Sequence, residues 1–400
     1  MAMPALVLLV ALGASAADDT TPPLTGALTG AGLTPIASVQ DRARGAMAPW
    51  GQLQTWATFW DQDRDPQADP VVYGDPEHDP GFTIARARIG FDGLLPMGQT
   101  LAEHVQMDYG LSVGIASPYD GRTEPDEDVQ IVDAFARLSA PFGKHPLSVS
   151  MGMQRVPFTR EALTSSATLL FQERSVSTNY LVPGREVGVV IGQEVRFGES
   201  GPSALVRLGA YNGNGALYGD TDPGGLLTAR VELSHGETYT SWDPAKKAAL
   251  GVGFGLLRND MFATRTTGLG ADLIGRLSFV TVSAEFVRQN IEPTDTTIVA
   301  PAVSATTGRL GLIGQISFWI PIDGKNGLEV GSRYNSFDDA TALDDSGDVW
   351  QLHNGVTWRN PLPFVDLGVG FIHRVEPNGE LPNDTIRLWT QIRPAARVLK

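Results

Sequence analysis

Four arginines lie in or beside one long connection between two predicted strands. The first strand, 147–155, ends on Arg155, and the next strand begins at about residue 186. The connection and its far stem hold Arg160, Arg174 and Arg185. Arginine suits an anion pathway because its planar guanidinium donates several hydrogen bonds to an oxyanion and keeps its charge at neutral pH. Arginines confined in a narrow passage are one way in which anion pores select ions.

The connection is long and patterned. A segment of about 30 residues without secondary structure of its own is usually functional or disordered. Pro157-Phe158 opens this one, residues 171–175 (Phe-Gln-Glu-Arg-Ser) lie in its middle, and residues 184–188 (Gly-Arg-Glu-Val-Gly) close it. The regular placement of these motifs favours a functional loop over a linker.

The order of these motifs, followed by residues 211–215 (Tyr-Asn-Gly-Asn-Gly), resembles the phosphate-selective porins O and P of Gram-negative outer membranes. Residues 81–93, with their alternating Arg-Ala-Arg, resemble a strand near the start of those porins. The resemblance is specific over about residues 81–215, and from there to about residue 393 it rests on strand pattern alone. It implies a 16-stranded, homotrimeric barrel whose inward-folded loop narrows an anion-conducting pore.

The resemblance also implies roles for single residues. The expected constriction and anion pathway comprises Arg155, Arg160, Arg174, Arg185, Arg86 and Arg88. Phe158 and Phe171 are expected to be the apolar contacts that hold the loop inward, and Glu173 to anchor it through a salt bridge. The phosphate-selective members gather lysines at the pore mouth, whereas this chain has only Lys144, Lys246, Lys247, Lys325 and Lys400. The sequence therefore leaves a preference for phosphate open.

Alternation of apolar and polar residues predicts strands along most of the chain, because successive side chains of a strand point to opposite faces. In 82–92, an apolar face (Ala85, Ala87, Ile89, Phe91) opposes a polar one (Arg86, Arg88, Asp92). Segments of about 9–11 residues with this pattern are typical of transmembrane strands. Sixteen are predicted, with 269–289 divided in two on the expectation from the family: 50–60, 82–92, 101–113, 130–139, 147–155, 186–196, 203–211, 226–235, 248–257, 269–276, 278–289, 308–319, 327–336, 348–358, 364–374 and 383–392.

The predicted fold class is therefore all-β, a transmembrane antiparallel β-barrel of about 16 strands with an inward-folded constriction loop. Residues 1–17 read as a secretory signal peptide with an Ala-x-Ala cleavage site at 14–16. Residues 18–49 read as a flexible lead-in, 50–393 as the barrel, and 394–400 as a tail, since Pro394 stops strand pairing. The implied location is the outer membrane of a Gram-negative bacterium, with its lipid as partner.

The same strand parity places acidic and basic side chains together in the lumen. The predicted lumen arginines are Arg86, Arg88, Arg137, Arg196, Arg207, Arg230, Arg333, Arg359 and Arg387. The predicted lumen carboxylates are Asp92, Asp108, Asp133, Glu186, Glu194, Glu232, Glu285, Glu329 and Asp366. For any single arginine, two interpretations remain: contact with a permeating anion, or an ion pair that stiffens the wall.

Composition narrows the function classes. The formal net charge is −15, with 30 Lys+Arg against 45 Asp+Glu, which disfavours nucleic acid as a partner because that needs a clustered positive face. The chain has no cysteine, which excludes disulfides and thiol catalysis. It contains no nucleophile elbow, zinc-protease motif or phosphate-binding loop. We therefore expect no enzyme activity, no cofactor and no metal site.

The predicted function is passive diffusion of small ions and hydrophilic solutes through the outer membrane, with the loop arginines as the source of any preference for anions or phosphate. Two alternatives remain open from the sequence. One is a secreted, soluble, β-rich binding protein, whose apolar strand faces would pack against each other. The other is a barrel plugged by its loop, with a structural or receptor role.

Overall fold

The computed structural model describes residues 39–61, 81–116, 129–142, 145–171, 173–198, 201–215, 224–236, 238–239, 248–261, 263–294, 306–343, 348–375 and 384–394. Sixteen antiparallel strands in these ranges close into one barrel. They are β1 (Ala46–Asp61), β2 (Gly81–Leu94), β3 (Gln106–Ala116), β4 (Gln130–Phe142), β5 (His145–Arg155), β6 (Arg185–Arg196), β7 (Ser203–Tyr211), β8 (Gly225–His235), β9 (Ala249–Met261), β10 (Thr264–Leu277), β11 (Val280–Pro293), β12 (Thr307–Asp323), β13 (Asn326–Asp338), β14 (Val349–Leu362), β15 (Val365–Val375) and β16 (Asp384–Ile392).

Each strand pairs with its neighbours in sequence, and β16 closes the barrel on β1, from Leu53↔Ile392 to Asp61↔Asp384. Closure leaves no unpaired strand edge, which is what a sheet needs in lipid. The predicted fold class is confirmed, including all sixteen strands. The predicted strand 101–113 starts too early, because residues 98–102 form a short helix and β3 begins at Gln106.

Four short helices accompany the strands in the described residues: α1 (Val39–Arg44), α2 (Gly98–Ala102), α3 (Arg160–Leu163) and α4 (Val176–Leu181). None of the helices in this part of the chain is long and apolar enough to cross a membrane. Helix α1 and the start of β1 at Ala46 lie inside the segment predicted as a lead-in. The predicted signal peptide and nearly all of the predicted tail lie outside the described residues.

In this barrel the apolar side chains are exposed on the outside and the charged side chains are buried inside, the reverse of a water-soluble domain. On β9, Leu250, Val252, Phe254 and Leu256 point outward and are each about half exposed, whereas Gly251, Gly253 and Gly255 alternate with them on the inner face. Inner faces of other strands carry charged residues that are almost fully buried, such as Arg230 on β8. An apolar outer band around a polar interior is the pattern of a transmembrane barrel.

A β-bulge in β2 changes the side of the strand on which Ala85 lies, so the predicted face of this residue is wrong. The register of β1 with β2 shifts between Gln54 and Thr55, so that Ala85 is the extra residue. Ala85 is therefore fully buried beside Trp56 and Trp389 instead of facing outward with Ala87. Beyond the bulge the predicted parity holds, and Arg86 and Arg88 both lie on the inner face with exposures of 1% and 5%.

Aromatic residues mark the two rims of the barrel only in part. Trp350 and Trp358 alternate with buried lumen residues of β14 and point outward near opposite ends of the strand. Eight residues of strand span roughly 26 Å, close to the height of about 25 Å typical of an outer apolar band. Trp50, near the start of β1, lies instead on the inner face of that strand over Gly90, because even-numbered residues of β1 face the lumen.

Candidate functional site

The connection between β5 and β6 crosses the interior of the barrel. We call residues 156–184 the internal loop. The carbonyl oxygen of Phe158 accepts a hydrogen bond of 2.8 Å from Arg230 on β8, and that of Leu169 accepts one of 2.8 Å from Arg359 on β14. The hydroxyl of Ser166 donates to Gln52 on β1 at 3.3 Å. Because these strands stand on different sides of the barrel, the loop passes between them.

Glycines on the inner wall make room for the loop. A Cβ added at Gly255 would lie 2.3 Å from the carbonyl oxygen of Phe158, and one at Gly331 would lie 2.6 Å from a methyl group of Leu170. Gly311 faces Ser177 and Leu181 in the same way. Lumen-facing glycines therefore determine how closely the loop backbone approaches the wall.

We expect Gly255→Ala to push residues 157–159 away from β9, because the Phe158 backbone cannot yield as a flexible side chain would. Gly275→Ala on β10 is the matched control, since a Cβ there meets nothing within 4 Å. Limited proteolysis of the folded barrel in detergent measures the effect. Gly255→Ala should be cut faster within the loop than the wild type and Gly275→Ala, and equal rates for all three would contradict the packing described here.

The two phenylalanines of the loop motifs are both buried. Phe158 is 0% exposed and packs with Val156, Leu181 and other apolar residues of the loop and its surrounding strands. Phe171 is 2% exposed and stacks on the ring of His353, with 3.9 Å between centroids. The structure thus places both rings where they contact the inner wall.

Glu173 lies against the opposite side of the lumen from Phe158. Its carboxylate accepts a hydrogen bond from Arg387 on β16, and its carbonyl oxygen accepts one of 2.8 Å from Arg333 on β13. The guanidinium of Arg333 also stands 5.2 Å from the centroid of the Phe171 ring. These contacts place the middle motif of the loop between two wall arginines.

Glu161, which the motifs did not single out, connects the two helices of the loop. Its carboxylate accepts hydrogen bonds from the backbone amide of Ser175 at 3.2 Å, from the Ser175 hydroxyl at 2.6 Å and from the Thr178 hydroxyl at 2.5 Å. It also forms a salt bridge of 3.2 Å with Arg333. One carboxylate therefore joins α3, the start of α4 and the wall.

Arg160 is bound into the wall by carboxylates. Its guanidinium contacts Glu232 at 3.1 Å and Asp272 at 3.0 Å, and Arg230 shares both acids. Burial alone would lower the pKa of Arg160, but the carboxylates of Glu232 and Asp272 help to raise it above the ordinary arginine value. Arg160 therefore stays charged, and it forms ion pairs with carboxylates of the barrel wall.

Arg155 and Arg174 converge on the carbonyl end of α3. Arg155 donates to the carbonyl oxygens of Ala162, at 2.8 Å, and of Thr164. Arg174 donates to the Thr164 carbonyl at 2.7 Å and to that of Glu161 at 3.3 Å. Both arginines are half-buried, and the contacts described here are with neutral carbonyl oxygens.

Arg185 and Arg88 complete a cluster with these two. Arg185 forms a two-pronged salt bridge with Asp133, at 2.8 and 3.2 Å, and Arg88 contacts the hydroxyl of Ser166 at 3.4 Å. The charges of Arg185, Arg174 and Arg88 all repel Arg155, while Asp133 attracts it. We call Arg88, Arg155, Arg174 and Arg185, together with Asp133, the arginine cluster.

Of the six arginines predicted for the anion pathway, the structure brings four together in the arginine cluster. Arg160 lies instead among Glu232 and Asp272, and Arg86, 1% exposed, donates to Gln54 at 2.6 Å. Strand alternation could also have indicated Asp272, which lies on the inner face of β10. The described residues contain no group of three or more His, Asp or Glu side chains arranged to hold a metal ion.

A closed barrel with an apolar exterior, a charged lumen and a long loop inside it defines the class of porin-type outer-membrane barrels. The family described as phosphate-selective porin O and P matches residues 63–246. This match confirms the resemblance carried by the motifs between residues 81 and 215. No curated protein is similar enough in sequence to count as a match.

Solved structures share the fold at low sequence identity. An anion-selective porin from Comamonas acidovorans has a TM-score of 0.57 at 13% identity, covering 88% of this chain and 100% of that one. OmpF of Salmonella typhi in complex with daunomycin has 0.56 at 12%, covering 89% and 99%. The channel DcaP of Acinetobacter baumannii has 0.53 at 14%, covering 88% and 98%. At these identities the likeness establishes the barrel fold.

Proposed function

We propose that this protein is a passive diffusion channel of the Gram-negative outer membrane, and that it prefers small anions over cations. The channel class and the outer-membrane location follow from the family match and from the barrel with its apolar exterior. The preference for anions is the further step of the proposal. It rests on the charges that line the lumen beside the internal loop.

The observation that carries the proposal is the crowding of four guanidinium groups in the arginine cluster. Arg160, Arg230 and Arg359 are bound at 2.6–3.1 Å by wall carboxylates and are buried. Arg155 and Arg174 instead contact carbonyl oxygens and remain half-buried. Guanidinium groups crowded beside a passage attract anions, and confinement strengthens their field.

The position of the cluster suggests the route. Asp133, Arg155 and Arg185 belong to β4, β5 and β6, whereas residues 166–173 of the loop are bonded to β1, β14 and β16 on the other side. We propose that the solute path runs alongside the place where Arg155 of β5 contacts the loop carbonyls of Ala162 and Thr164. An anion moving along it would pass the arginine cluster at close range.

Small inorganic anions are the permeant solutes that fit this site best. The guanidinium groups offer forked donors to an oxyanion, but Asp133 and the buried wall acids keep the net positive field modest. One barrel of the same fold is described as an anion-selective porin, and the matching family as phosphate-selective. We propose general anion preference, with phosphate as one permeant species.

Planar-bilayer recording of the detergent-purified protein tests this function. We expect discrete conductance steps in potassium chloride, and we expect added phosphate to lower the chloride conductance as it occupies the arginine cluster. Steps without any phosphate effect would leave a general diffusion channel. A barrel that inserts without conductance would be plugged by its loop and would contradict the proposal.

The outer surface argues against a soluble binding protein. Phe82, Leu227 and Leu277 point outward with exposures of 92%, 57% and 75%, which a soluble sandwich would bury between its sheets. We therefore expect the protein to require detergent. We also propose a homotrimer, as the family resemblance implies, and cross-linking in detergent followed by mass measurement would test it by a threefold mass.

A further inference from the structure

A second segment enters the lumen from the rim opposite to the internal loop. The loop starts at the end of the barrel where Arg155 pairs with Arg185, the same end as the pair Tyr211↔Leu226. Residues 238–239 follow β8, whose last residue, His235, lies at the other end. The connection after β8 therefore brings Thr238 and Tyr239 into the lumen from the opposite rim.

The two segments contact each other inside the barrel. The carbonyl oxygen of Thr238 accepts a hydrogen bond from Arg160 at 3.4 Å, and the hydroxyl of Thr168 donates to the carbonyl of Tyr239 at 3.3 Å. The guanidinium of Arg160 lies 5.0 Å from the centroid of the Tyr239 ring, within the range of a cation–π contact. Thr238 is only 3% exposed, so the segment is packed in place.

Tyr239 also acts on a wall carboxylate. Its hydroxyl donates to Glu232, which in addition accepts from Arg160 at 3.1 Å and from Arg230 at 3.2 Å. Burial, together with the charge of Glu232, raises the pKa of Tyr239 to about 12. The phenol therefore keeps its proton at neutral pH and remains a donor. Three donors around one carboxylate hold the Glu232 side chain in a fixed orientation.

We propose that Tyr239 is a positioning residue for ion selectivity, one that holds Glu232 against Arg160 and Arg230 and so keeps this negative charge away from the solute path. The ring at the same time narrows the lumen from the rim opposite to the internal loop. This inference rests on the proposed channel function. Two groups of residues would then determine the ion selectivity of the pore. The arginine cluster attracts anions, and Tyr239 keeps the carboxylate of Glu232 from attracting cations.

Two substitutions separate the roles of the hydroxyl and the ring. Tyr239→Phe keeps the ring beside Arg160 but removes the donor to Glu232, so we expect the anion-to-cation permeability ratio to fall about threefold at unchanged single-channel conductance. Tyr239→Ala removes the ring as well, so we expect larger and noisier conductance steps. Tyr334→Phe on the outer face, where Tyr334 is 44% exposed, is the matched control and should change neither quantity.

The zero-current potential and step size of the wild type and the three variants decide the outcome. An anion-favouring wild type whose selectivity is unchanged in Tyr239→Phe would overturn this inference and leave the channel function standing. A wild type without conductance or without anion preference would overturn both. A selectivity loss confined to the Tyr239 variants supports the inference, because packing alone would not separate permeability ratio from conductance.

Discussion

Replacing both Arg155 and Arg174 with glutamine is expected to abolish most of the anion preference of the channel. Glutamine keeps donors for the carbonyl oxygens of Ala162 and Thr164, so the loop should stay in place while two charges disappear. Two charges within several ångströms of the path contribute about 1.4 kcal/mol or more to discrimination, which corresponds to about a tenfold fall in the anion-to-cation permeability ratio. Zero-current potentials in a salt gradient measure this ratio.

Two further variants give this experiment its controls. Arg258→Gln removes an outward-facing arginine, 50% exposed in its side chain and paired with Asp260, and should leave selectivity unchanged. Asp133→Asn removes the negative charge within the arginine cluster and should raise the preference for anions. If the double variant stays as anion-selective as the wild type, the cluster serves the structure and the preference arises elsewhere.

The second large effect is expected from Glu161→Gln. The carboxylate accepts from Ser175, Thr178 and Arg333, and glutamine offers one acceptor oxygen and no charge. Hydrogen bonds to charged groups contribute about 1.5–3 kcal/mol each, so the folded-in state of the loop should lose about 3 kcal/mol. We expect a less ordered loop and therefore larger, fluctuating conductance steps.

Hydrogen exchange of loop amides provides a second readout for the same variant. Glu161→Gln should speed exchange at residues 173–181 by more than tenfold, while the strands remain protected. Glu292→Gln, an exposed glutamate on β11, is the matched control. Unchanged exchange and steady conductance in Glu161→Gln would show that Phe158 and Phe171 hold the loop without the carboxylate.

Period-2 alternation sufficed to predict the barrel and the orientation of most wall residues. The face of a strand residue follows from parity, and Arg230, Arg333 and Glu329 are buried on the inner face as predicted. Parity failed at Ala85 because a bulge adds one residue to β2. Arg196, predicted for the lumen, is exposed at the last position of β6, opposite Ser203 of β7, and forms a salt bridge with Glu194.

The sequence could not predict which charged residues form ion pairs inside the lumen. Arg160 contacts Glu232 and Asp272, which are 72 and 112 residues away, and only the closed barrel determines which charges meet. The same contacts decide whether an arginine pairs with wall carboxylates, as Arg160 does, or contacts loop carbonyl oxygens, as Arg155 does. Tyr239 carried no signal at all, since nothing in a single Tyr within a polar segment indicates that the segment bends inward.

The zero-current potential of the wild-type channel across a tenfold potassium chloride gradient tests the central claim most directly. The arginine cluster beside the proposed path predicts a potential whose sign corresponds to chloride as the more permeant ion. The magnitude should shrink as the mean salt concentration rises, because salt screens the cluster. A potential of the opposite sign, or one near zero at low salt, would contradict the account.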